Sequence, residues 1–304
     1  MTRLFTPNIE NWDDWGRLFQ SIQAFVALIE LIMDAENLPK AELKNLTPGT
    51  NAVFRAGDYV VKVFAPAESG YDQTSDLKTE LFATRRANAL GVSAPRLVAD
   101  GYVDDIYRFA YIITEFIEGV ELPDAVKLMT NDERIWIGRK LRAAADLMNT
   151  PCAPFNDTDV VGGESRIPGW SKYSARFNAE RLEYKRTHDF GEKVFVHGDL
   201  CGDNIIVTPG GELYLIDFAD SVLAPVSYEH SLVAMELLSY GAAALRGFFG
   251  ECPAERLADM CCEGLLIHAF GGGIIEHALG NPSGIAGVAD LRERLREKFA
   301  KALY

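Results

Sequence analysis

Apolar residues recur at helical spacing near the start of the chain. From Asn11 to about Ala35 they fall three or four positions apart, and Asn11 followed by two aspartates is a typical helix start. The pattern predicts one amphipathic helix. Because its polar face is not basic, we expect this helix to pack onto the rest of the protein and not to bind a membrane.

The next stretch predicts a small β-rich region. From Leu43 to Phe64 the chain has the pattern of short strands, with turns at Pro48–Gly49 and Ala56–Asp58. The segment Tyr59–Phe64 is the clearest strand. Three more elements are expected before the character of the chain changes, namely a helix at 75–90 and strands at 96–103 and 107–116.

After Gly119 the pattern is mainly helical. Helices are predicted at 132–149, 170–186, 228–249, 254–279 and 289–303, and short strands at 194–196, 205–207 and 213–216. Together the patterns predict an α+β fold with two lobes. We divide the chain into a helical extension at 1–40 packed on a small β-rich N-lobe at 41–117, and a larger, mainly helical C-lobe at 118–304.

Composition narrows the classes of function. With 48% hydrophobic and 24% charged residues over 304 positions, the chain can bury a sizeable core. Its net charge of -14 repels phosphate backbones, so nucleic acid is not expected as a partner. The charge suits a cationic substrate, although acidity for solubility alone is the commoner case. Nothing in the sequence specifies a protein partner.

Cysteine usage and hydropathy indicate a cellular compartment. Five cysteines, an odd number without a C-x-x-C pair, predict neither a disulfide framework nor a zinc site. The N-terminal residues do not have the pattern of a signal peptide, and no apolar run is long enough to cross a bilayer. These observations predict a soluble, cytoplasmic protein with reduced thiols.

The strongest chemical signal lies at residues 196–207. Asp199 and Asn204 stand on a loop between two apolar strands, and a third strand ends in Asp217. Isolated acids are costly to bury, so a charged partner is expected. Phosphoryl transfer would give these groups complementary roles. Asp199 would act as catalytic base and accept the proton of an acceptor hydroxyl. Asn204 and Asp217 would offer hard oxygen ligands to Mg²⁺.

A lysine upstream fits the same chemistry. Lys62 lies inside the apolar strand 59–64, where an unpaired ammonium is unfavourable. ATP phosphates and a carboxylate from the following helix, best matched by Glu80, would stabilise it. A turn at Thr50 and Asn51 could cover phosphates with backbone N–H groups and side chains. Taken singly, each has an ordinary alternative: an edge-strand lysine, a solvated glutamate and a hairpin turn.

Together these residues resemble the aminoglycoside phosphotransferase and choline kinase-like family, a small-molecule branch of the protein-kinase-like fold. The resemblance runs from about residue 46 to about 238 and includes His-Gly-Asp at 197–199 and Ile-Asp-Phe at 216–218. It implies a two-lobed kinase-like fold whose N-lobe binds the nucleotide and whose C-lobe carries catalysis and substrate binding. It also implies a hinge that reads the adenine, at Glu115, Phe116 and Ile117.

Two positions depart from the family pattern. Relatives often have His-Pro-Gly where this chain has Cys201-Gly202-Asp203, but the spacing from Asp199 to Asn204 is unchanged. Cys201 has no evident partner and is interpreted as a neutral spacer. The family commonly has an aspartate that braces the catalytic loop, and Glu229 is its nearest match. Whether Glu229 has this supporting role stays open at this point.

The resemblance implies an ATP-dependent enzyme that moves the γ-phosphate to a hydroxyl of a small molecule with the help of Mg²⁺. GTP stays open as an alternative donor. The acceptor is an aminoglycoside or related antibiotic in one interpretation, and a metabolic sugar or amino alcohol in another. Five acids could form a pocket for an aminated sugar, although a surface position is preferred for each: Asp157, Asp159, Glu164, Glu263 and Glu276.

Two other classes are weighed against this one. A nucleotide-binding pseudokinase with a regulatory role would keep the fold without turnover, and the complete set of Lys62, Asp199, Asn204 and Asp217 argues against it. A protein kinase would need an activation segment. Only seven residues separate Asp217 from Pro225, which leaves little room for one.

Overall fold

The computed structural model divides into two units, in which alternating apolar positions form strands and apolar positions at helical spacing form helices. It describes residues 3–47, 49–71, 73–163 and 168–303. Unit 1 comprises Met1–Ala89 and Ala94–Glu118, and unit 2 comprises Leu90–Ser93 and Gly119–Tyr304. Each unit has hydrophobic clusters of its own.

The N-terminal residues form two helices, α1 (Trp12–Leu18) and α2 (Ile22–Ala35), where the sequence predicts one. The single-helix prediction is wrong because Ser21 begins a new helix. The backbone of Ser21 is extended, and its hydroxyl accepts a hydrogen bond from the Ala24 N–H at 3.3 Å. Asn11 caps α1 in the same way, as its start predicts.

Both N-terminal helices bury their apolar sides in the core of unit 1. Trp15 and Phe25 lie in one cluster with Phe54 and Phe109 of the sheet. Ahead of α1, the backbone N–H of Phe5 donates to a carboxylate oxygen of Asp105 at 2.7 Å. Among the described residues no single helix is long and apolar enough to cross a membrane. The pair α1 and α2, bent by 85°, meets that criterion only by combined length and composition.

The described strands of unit 1 form one antiparallel sheet. They are β1 (Leu43–Asn45), β2 (Ala52–Ala56), β3 (Tyr59–Val63), β4 (Leu97–Asp104) and β5 (Arg108–Glu115), in the order β1-β2-β3-β5-β4. Helix α3 (Thr74–Ala89) follows β3 in the chain. In the register, Lys62 lies between Val53 and Ile112, so it stands on an interior strand and not at an edge.

Unit 2 is mainly helical. Its described helices are α4 (Leu122–Ala125), α5 (Asn131–Met148), α6 (Ala175–Thr187), α7 (Val226–Ser239), α8 (Ala242–Phe249), α9 (Ala254–Ile267), α10 (Gly271–Leu279) and α11 (Val288–Leu303). Two of the predicted helices are therefore each divided in two. The break after α7 comes at Gly241, whose φ of 96° leaves the helical region. The break after α9 comes at the extended residue His268.

The predicted start of α6 is also wrong. The sequence predicts a helix from residue 170, whereas α6 begins at Ala175 after its N-cap Ser174, whose hydroxyl accepts from the Phe177 N–H at 3.1 Å. The preceding Pro168–Lys172 segment forms a short 3₁₀ helix. Apolar periodicity alone does not reveal the N-cap that sets the start of α6.

Short strands in unit 2 position the loops that carry the candidate chemistry. They are β6 (Val120–Glu121), β7 (Lys193–Val196), β8 (Ile205–Val207), β9 (Leu213–Leu215) and β10 (Val222–Pro225). Strand β7 pairs with β10, and β8 pairs with both β6 and β9. The loop 197–204 therefore joins two different small sheets. The turn that contains Asp217 leads from one of these sheets to the other.

Candidate active site

The loop after β7 is held close to the turn before β10. Gly198 has φ of 87°, and a Cβ atom there would lie 1.9 Å from the carbonyl oxygen of Asp220. Only glycine fits this close approach. On the other side of Gly198, the His197 carbonyl accepts a hydrogen bond from the Ser221 hydroxyl at 3.1 Å. The strand pairing of Val196 with Val222 continues the same contact.

His197 joins the loop to the end of β9. Its ring is fully buried, with Nδ1 accepting from the Asp199 N–H at 3.3 Å and Nε2 lying 3.0 Å from the Ile216 carbonyl oxygen. Because Nδ1 accepts, the ring proton lies on Nε2 and is donated to that carbonyl. Burial lowers the pKa of His197 to about 4. The imidazole is therefore neutral and holds backbone in place.

Glu229 braces the loop from α7. Its side chain is fully buried, and its carboxylate accepts from the Asn149 amide at 2.9 Å and from the His197 N–H at 2.5 Å. The Gly198 N–H is a further donor. Burial raises the pKa of this carboxyl group to about 7, against the opposing effect of the three donors. Glu229 therefore supports the catalytic loop, a role that the sequence alone leaves open.

Asp199 and Asn204 are brought together on the loop. The Asn204 amide nitrogen donates to the Asp199 side-chain oxygen Oδ2 at 3.0 Å and to the Asp199 carbonyl at 2.8 Å. Burial, and next the negative charge of Asp217, raise the pKa of Asp199 to about 6. Asp199 is therefore a carboxylate at neutral pH and a stronger base than an exposed aspartate.

Asp217 stands at a backbone position that side chains seldom adopt. Its φ of 58° and ψ of 73° lie in the left-handed region. Among the described non-glycine residues, only Asn37 also has a positive φ. Such conformations persist where the surrounding structure enforces them, and they cluster at functional sites. Here the carboxylate is exposed and acts electrostatically on Asp199.

Asn204 and Asp217 carry oxygen atoms of the kind that a magnesium ion prefers. The Asn204 amide nitrogen is bound to Asp199, so the amide oxygen is the atom left for a cation. One amide and one carboxylate suit an ion that keeps several waters and shares phosphate oxygens. No group of three or more His, Cys, Asp or Glu residues that could hold a metal occurs among the residues described.

Cys201 is more than a spacer in this loop. Its thiol hydrogen-bonds the Asp199 carboxylate, and burial together with the Asp199 charge raises the thiol pKa to about 12. The thiol therefore stays protonated and is no nucleophile. Asp220 ends the short 3₁₀ helix Phe218–Asp220 that follows Asp217, and α7 begins only at Val226.

Lys62 and Glu80 form a buried ion pair in unit 1. The distance from Lys62 Nζ to Glu80 Oε2 is 2.8 Å, and the two residues are 8% and 7% exposed. Strand β3 presents the lysine and α3 presents the glutamate. The alternatives of an edge-strand lysine and a solvated glutamate do not describe these residues. Removal of either partner would leave the other charge buried and unpaired, which is strongly destabilising.

Thr50 and Asn51 precede β2. The Thr50 side chain is exposed, while its carbonyl oxygen accepts a hydrogen bond from the indole N–H of Trp15 at 2.8 Å. Asn51 is 5% exposed, and its amide oxygen is buried without a hydrogen-bond partner in the described chain. Pro48, which belongs to the predicted turn, lies outside the described residues.

The three candidate hinge residues differ in the backbone groups they leave open. The Glu115 N–H donates to the Arg96 carbonyl at 3.0 Å, and the Phe116 N–H donates to the Asp58 carbonyl at 2.8 Å. Within the described ranges the N–H of Ile117 has no such acceptor. The Arg55 guanidinium lies 3.7 Å from the centre of the Phe116 ring, which fixes this ring.

The acids considered for an aminated-sugar pocket are mostly paired at separate places. Asp159 binds Lys193 at 2.7 Å, and His188 lies 3.2 Å from Glu263. Glu276 binds Lys172 at 2.5 Å, and Asp157 is exposed. Glu164 lies outside the described residues. These pairs match the surface interpretation of the individual acids.

Comparison with known proteins gives the family. The model of the phosphotransferase enzyme family matches residues 48–251, more than half of the chain. This chain belongs to that family. The match contains the candidate residues from Thr50 to Asp217 and confirms the resemblance seen in the sequence. The phosphotransferase is an enzyme of the small-molecule kinase class. A comparison with curated proteins gives no significant match.

Solved structures confirm the two-lobed protein-kinase-like fold of this phosphotransferase. A choline/ethanolamine kinase family protein from Mesorhizobium loti is 18% identical, with a TM-score of 0.52, over 90% of this chain and 93% of its own. The GDP complex of aminoglycoside 2'-phosphotransferase-IIIa is 15% identical, with a TM-score of 0.56, over 91% and 98%. A ternary complex of aminoglycoside phosphotransferase APH(4)-Ia with ADP and hygromycin B is 14% identical, with a TM-score of 0.55, over 90% and 97%.

Proposed function

We propose that this phosphotransferase moves the γ-phosphate of ATP to a hydroxyl group of a small molecule, with Asp199 as the catalytic base. The arrangement of the Asp199 carboxylate carries the proposal. It accepts hydrogen bonds from Asn204 and Cys201, and Glu229 holds the loop by accepting a hydrogen bond from the His197 N–H. Phosphoryl transfer depends mainly on positioning and on charge stabilisation, and this loop is built for positioning.

The proton chemistry belongs to Asp199. Its carboxylate accepts a hydrogen bond from the acceptor hydroxyl and takes the proton as the new O–P bond forms and ADP leaves. A pKa of about 6 leaves the carboxylate ionised at neutral pH while keeping it more basic than an exposed aspartate. His197 takes no part in this proton transfer, because its ring nitrogens bind backbone groups.

The cofactor is proposed as Mg²⁺ with ATP. Asn204 and Asp217 would hold the metal ion, which supplies charge neutralisation on the phosphates. Lys62, oriented by Glu80, would bind phosphate oxygens, and the backbone at Thr50 and Asn51 would cover them. We assign this nucleotide binding to residues 41–117, and catalysis and acceptor binding to 118–304.

The structure reduces the number of hinge groups that could bind the adenine. The N–H groups of Glu115 and Phe116 already donate to protein carbonyls, so adenine recognition would use the Ile117 N–H and the carbonyl groups of the segment. Guanine and adenine present different donors and acceptors to such groups. GTP is therefore to be tested beside ATP, as one related structure contains GDP and another contains ADP.

Among acceptors we propose a hydroxylated molecule that carries amino or ammonium groups. The net charge of -14 favours cations, and related structures include a choline/ethanolamine kinase family protein and an aminoglycoside phosphotransferase in complex with hygromycin B. Aminoglycosides and amino alcohols are the first compounds to test. We also propose a cytoplasmic location, which the five free cysteines support.

The test measures ADP or GDP release with Mg²⁺ across a panel of aminoglycosides, other hydroxylated antibiotics, sugars and amino alcohols. Asp199→Asn keeps the shape of the side chain and removes the base. The matched control is Asp203→Asn, an exposed acid on the same loop. We expect the release that depends on an acceptor to fall about 10²–10⁴-fold in Asp199→Asn, with nucleotide binding retained.

Each other outcome has a distinct meaning. Near-normal turnover in Asp199→Asn removes Asp199 from its role. Nucleotide binding without turnover on any acceptor supports the pseudokinase alternative. The absence of both nucleotide binding and turnover contradicts the proposal as a whole.

A further inference from the structure

A hydrogen bond ties the N-terminal helix to the residue ahead of β2. The indole Nε1–H of Trp15 donates to the carbonyl oxygen of Thr50 at 2.8 Å. Trp15 is 1% exposed, and its ring packs edge-on against Phe25 with 5.8 Å between ring centres. The ring also stacks on Phe19 at 6.4 Å. Because the core fixes the ring, the N–H donates in one direction only.

The bond to Thr50 also orients the next N–H. The carbonyl of Thr50 and the N–H of Asn51 belong to one peptide group, and no cis peptide occurs in the described ranges. In a trans peptide the C=O and the N–H point in opposite directions. Holding the Thr50 carbonyl towards Trp15 therefore turns the Asn51 N–H away from that indole. This N–H has no acceptor within the chain as described.

The position of Asn51 in the sheet relates this N–H to Lys62. Ala52 pairs with Val63, and Val53 pairs with Lys62. Asn51 is thus two positions along the strand from the residue opposite the lysine, a distance of roughly 7 Å. A backbone N–H and a lysine on neighbouring strands of one sheet are both donors that a polyphosphate can use.

We propose that Trp15 is a positioning residue for the nucleotide, whose indole N–H holds the Thr50 carbonyl so that the Asn51 N–H is presented to a phosphate oxygen. The inference rests on the proposed nucleotide-binding function of unit 1. Trp15 lies outside the matched residues 48–251, so a segment ahead of that region contributes to the site. A donor oriented before binding does not have to be ordered at the moment of binding, which strengthens the contact.

The test compares two tryptophans of α1. Trp15→Phe keeps an aromatic ring and removes the N–H. Trp12→Phe makes the same change at a side chain that is 40% exposed and has no hydrogen bond to Thr50. Calorimetry measures the Kd for Mg·ATP and for adenosine, which has no phosphates. We expect Trp15→Phe to raise the Kd for Mg·ATP about three- to tenfold and to leave the Kd for adenosine unchanged.

Two further readouts separate positioning from a loss of folding. In the wild type we expect Mg·ATP but not adenosine to shift the amide NMR signal of Asn51, and we expect this shift to shrink in Trp15→Phe. Once an acceptor is known, the KM for ATP rises while kcat stays within about twofold, because the chemical step is untouched. An equal Kd for Mg·ATP in the Trp15→Phe and Trp12→Phe variants overturns the proposal.

A second variant keeps the experiment decisive if Trp15→Phe does not fold. Replacing Trp15 by β-(3-benzothienyl)alanine retains the ring size and substitutes sulfur for the N–H. Wild-type affinity for Mg·ATP in this protein contradicts the inference alone. Failure of the wild-type protein itself to bind Mg·ATP contradicts the proposed function instead.

Discussion

Glu229→Gln tests whether burial or hydrogen bonding controls the pKa of Glu229, the residue that holds the catalytic loop. The carboxylate is fully buried, which favours its neutral form, but it accepts from three donors, which favour its ionised form. In the folded protein burial prevails and raises the pKa from 4.5 to about 7. Glutamine has nearly the same volume but cannot titrate.

The pH dependence follows from the direction of this shift. Between pH 4.5 and 7 the folded state holds a proton at Glu229 that the unfolded state has released. The stabilisation is complete below the unfolded pKa and is lost as the pH rises through the folded pKa. The free energy of unfolding of the wild type, relative to Glu229→Gln, should therefore fall by about 2–3 kcal/mol between pH 5 and pH 8.

Urea unfolding of both proteins at several pH values measures this difference. Asp199, His197, His230 and His268 also titrate with shifted pKa values, but they are common to both proteins and largely cancel. Glu212→Gln, an exposed change on the β8–β9 turn, controls for the loss of one negative charge. A difference that stays flat or rises with pH would refute the reasoning, because it would mean that the three donors outweigh burial.

Two more perturbations follow from the site. Glu80→Ala removes the partner that lies 2.8 Å from buried Lys62, and it should lower the free energy of unfolding in urea by about 3–5 kcal/mol. The double change Lys62→Met with Glu80→Leu should restore much of this stability without restoring turnover. An equal loss of stability in both proteins would contradict the ion-pair argument. Gly198→Ala should lower stability by at least about 2 kcal/mol, because φ is 87° and the new Cβ would meet the Asp220 carbonyl. Gly210→Ala, whose Cβ would meet only the Thr208 hydroxyl at 3.8 Å, is its control, and equal melting temperatures for the two variants would contradict the close approach.

The sequence predicts those parts of the site that are local in the chain. Asp199 and Asn204 are five positions apart on one loop, so flanking apolar strands suffice to bring them together. The pairing of Lys62 with Glu80 is also foreseeable, because a lysine inside an apolar strand needs an anion nearby. The two-lobed fold follows from the change of pattern near Gly119.

Contacts between distant segments are not visible in the pattern. The bond from His197 to Glu229 joins residues 32 positions apart, and the bond from Trp15 to Thr50 joins residues 35 positions apart. The resemblance draws attention to Glu229, but the apolar pattern shows neither contact. Helix breaks are missed for a related reason. Apolar periodicity continues through Ser21 and through Gly241 because the helices on both sides of each break bury apolar faces.

The N-terminal helices set a limit on how the chain can be shortened. Phe5, Trp15 and Phe25 supply part of the core that covers Phe54 and Phe109. A chain trimmed to the family-matched residues 48–251 would expose this aromatic face of the sheet to water and should aggregate. We therefore expect the shortest chain that folds to extend beyond the family-matched residues 48–251 on the N-terminal side.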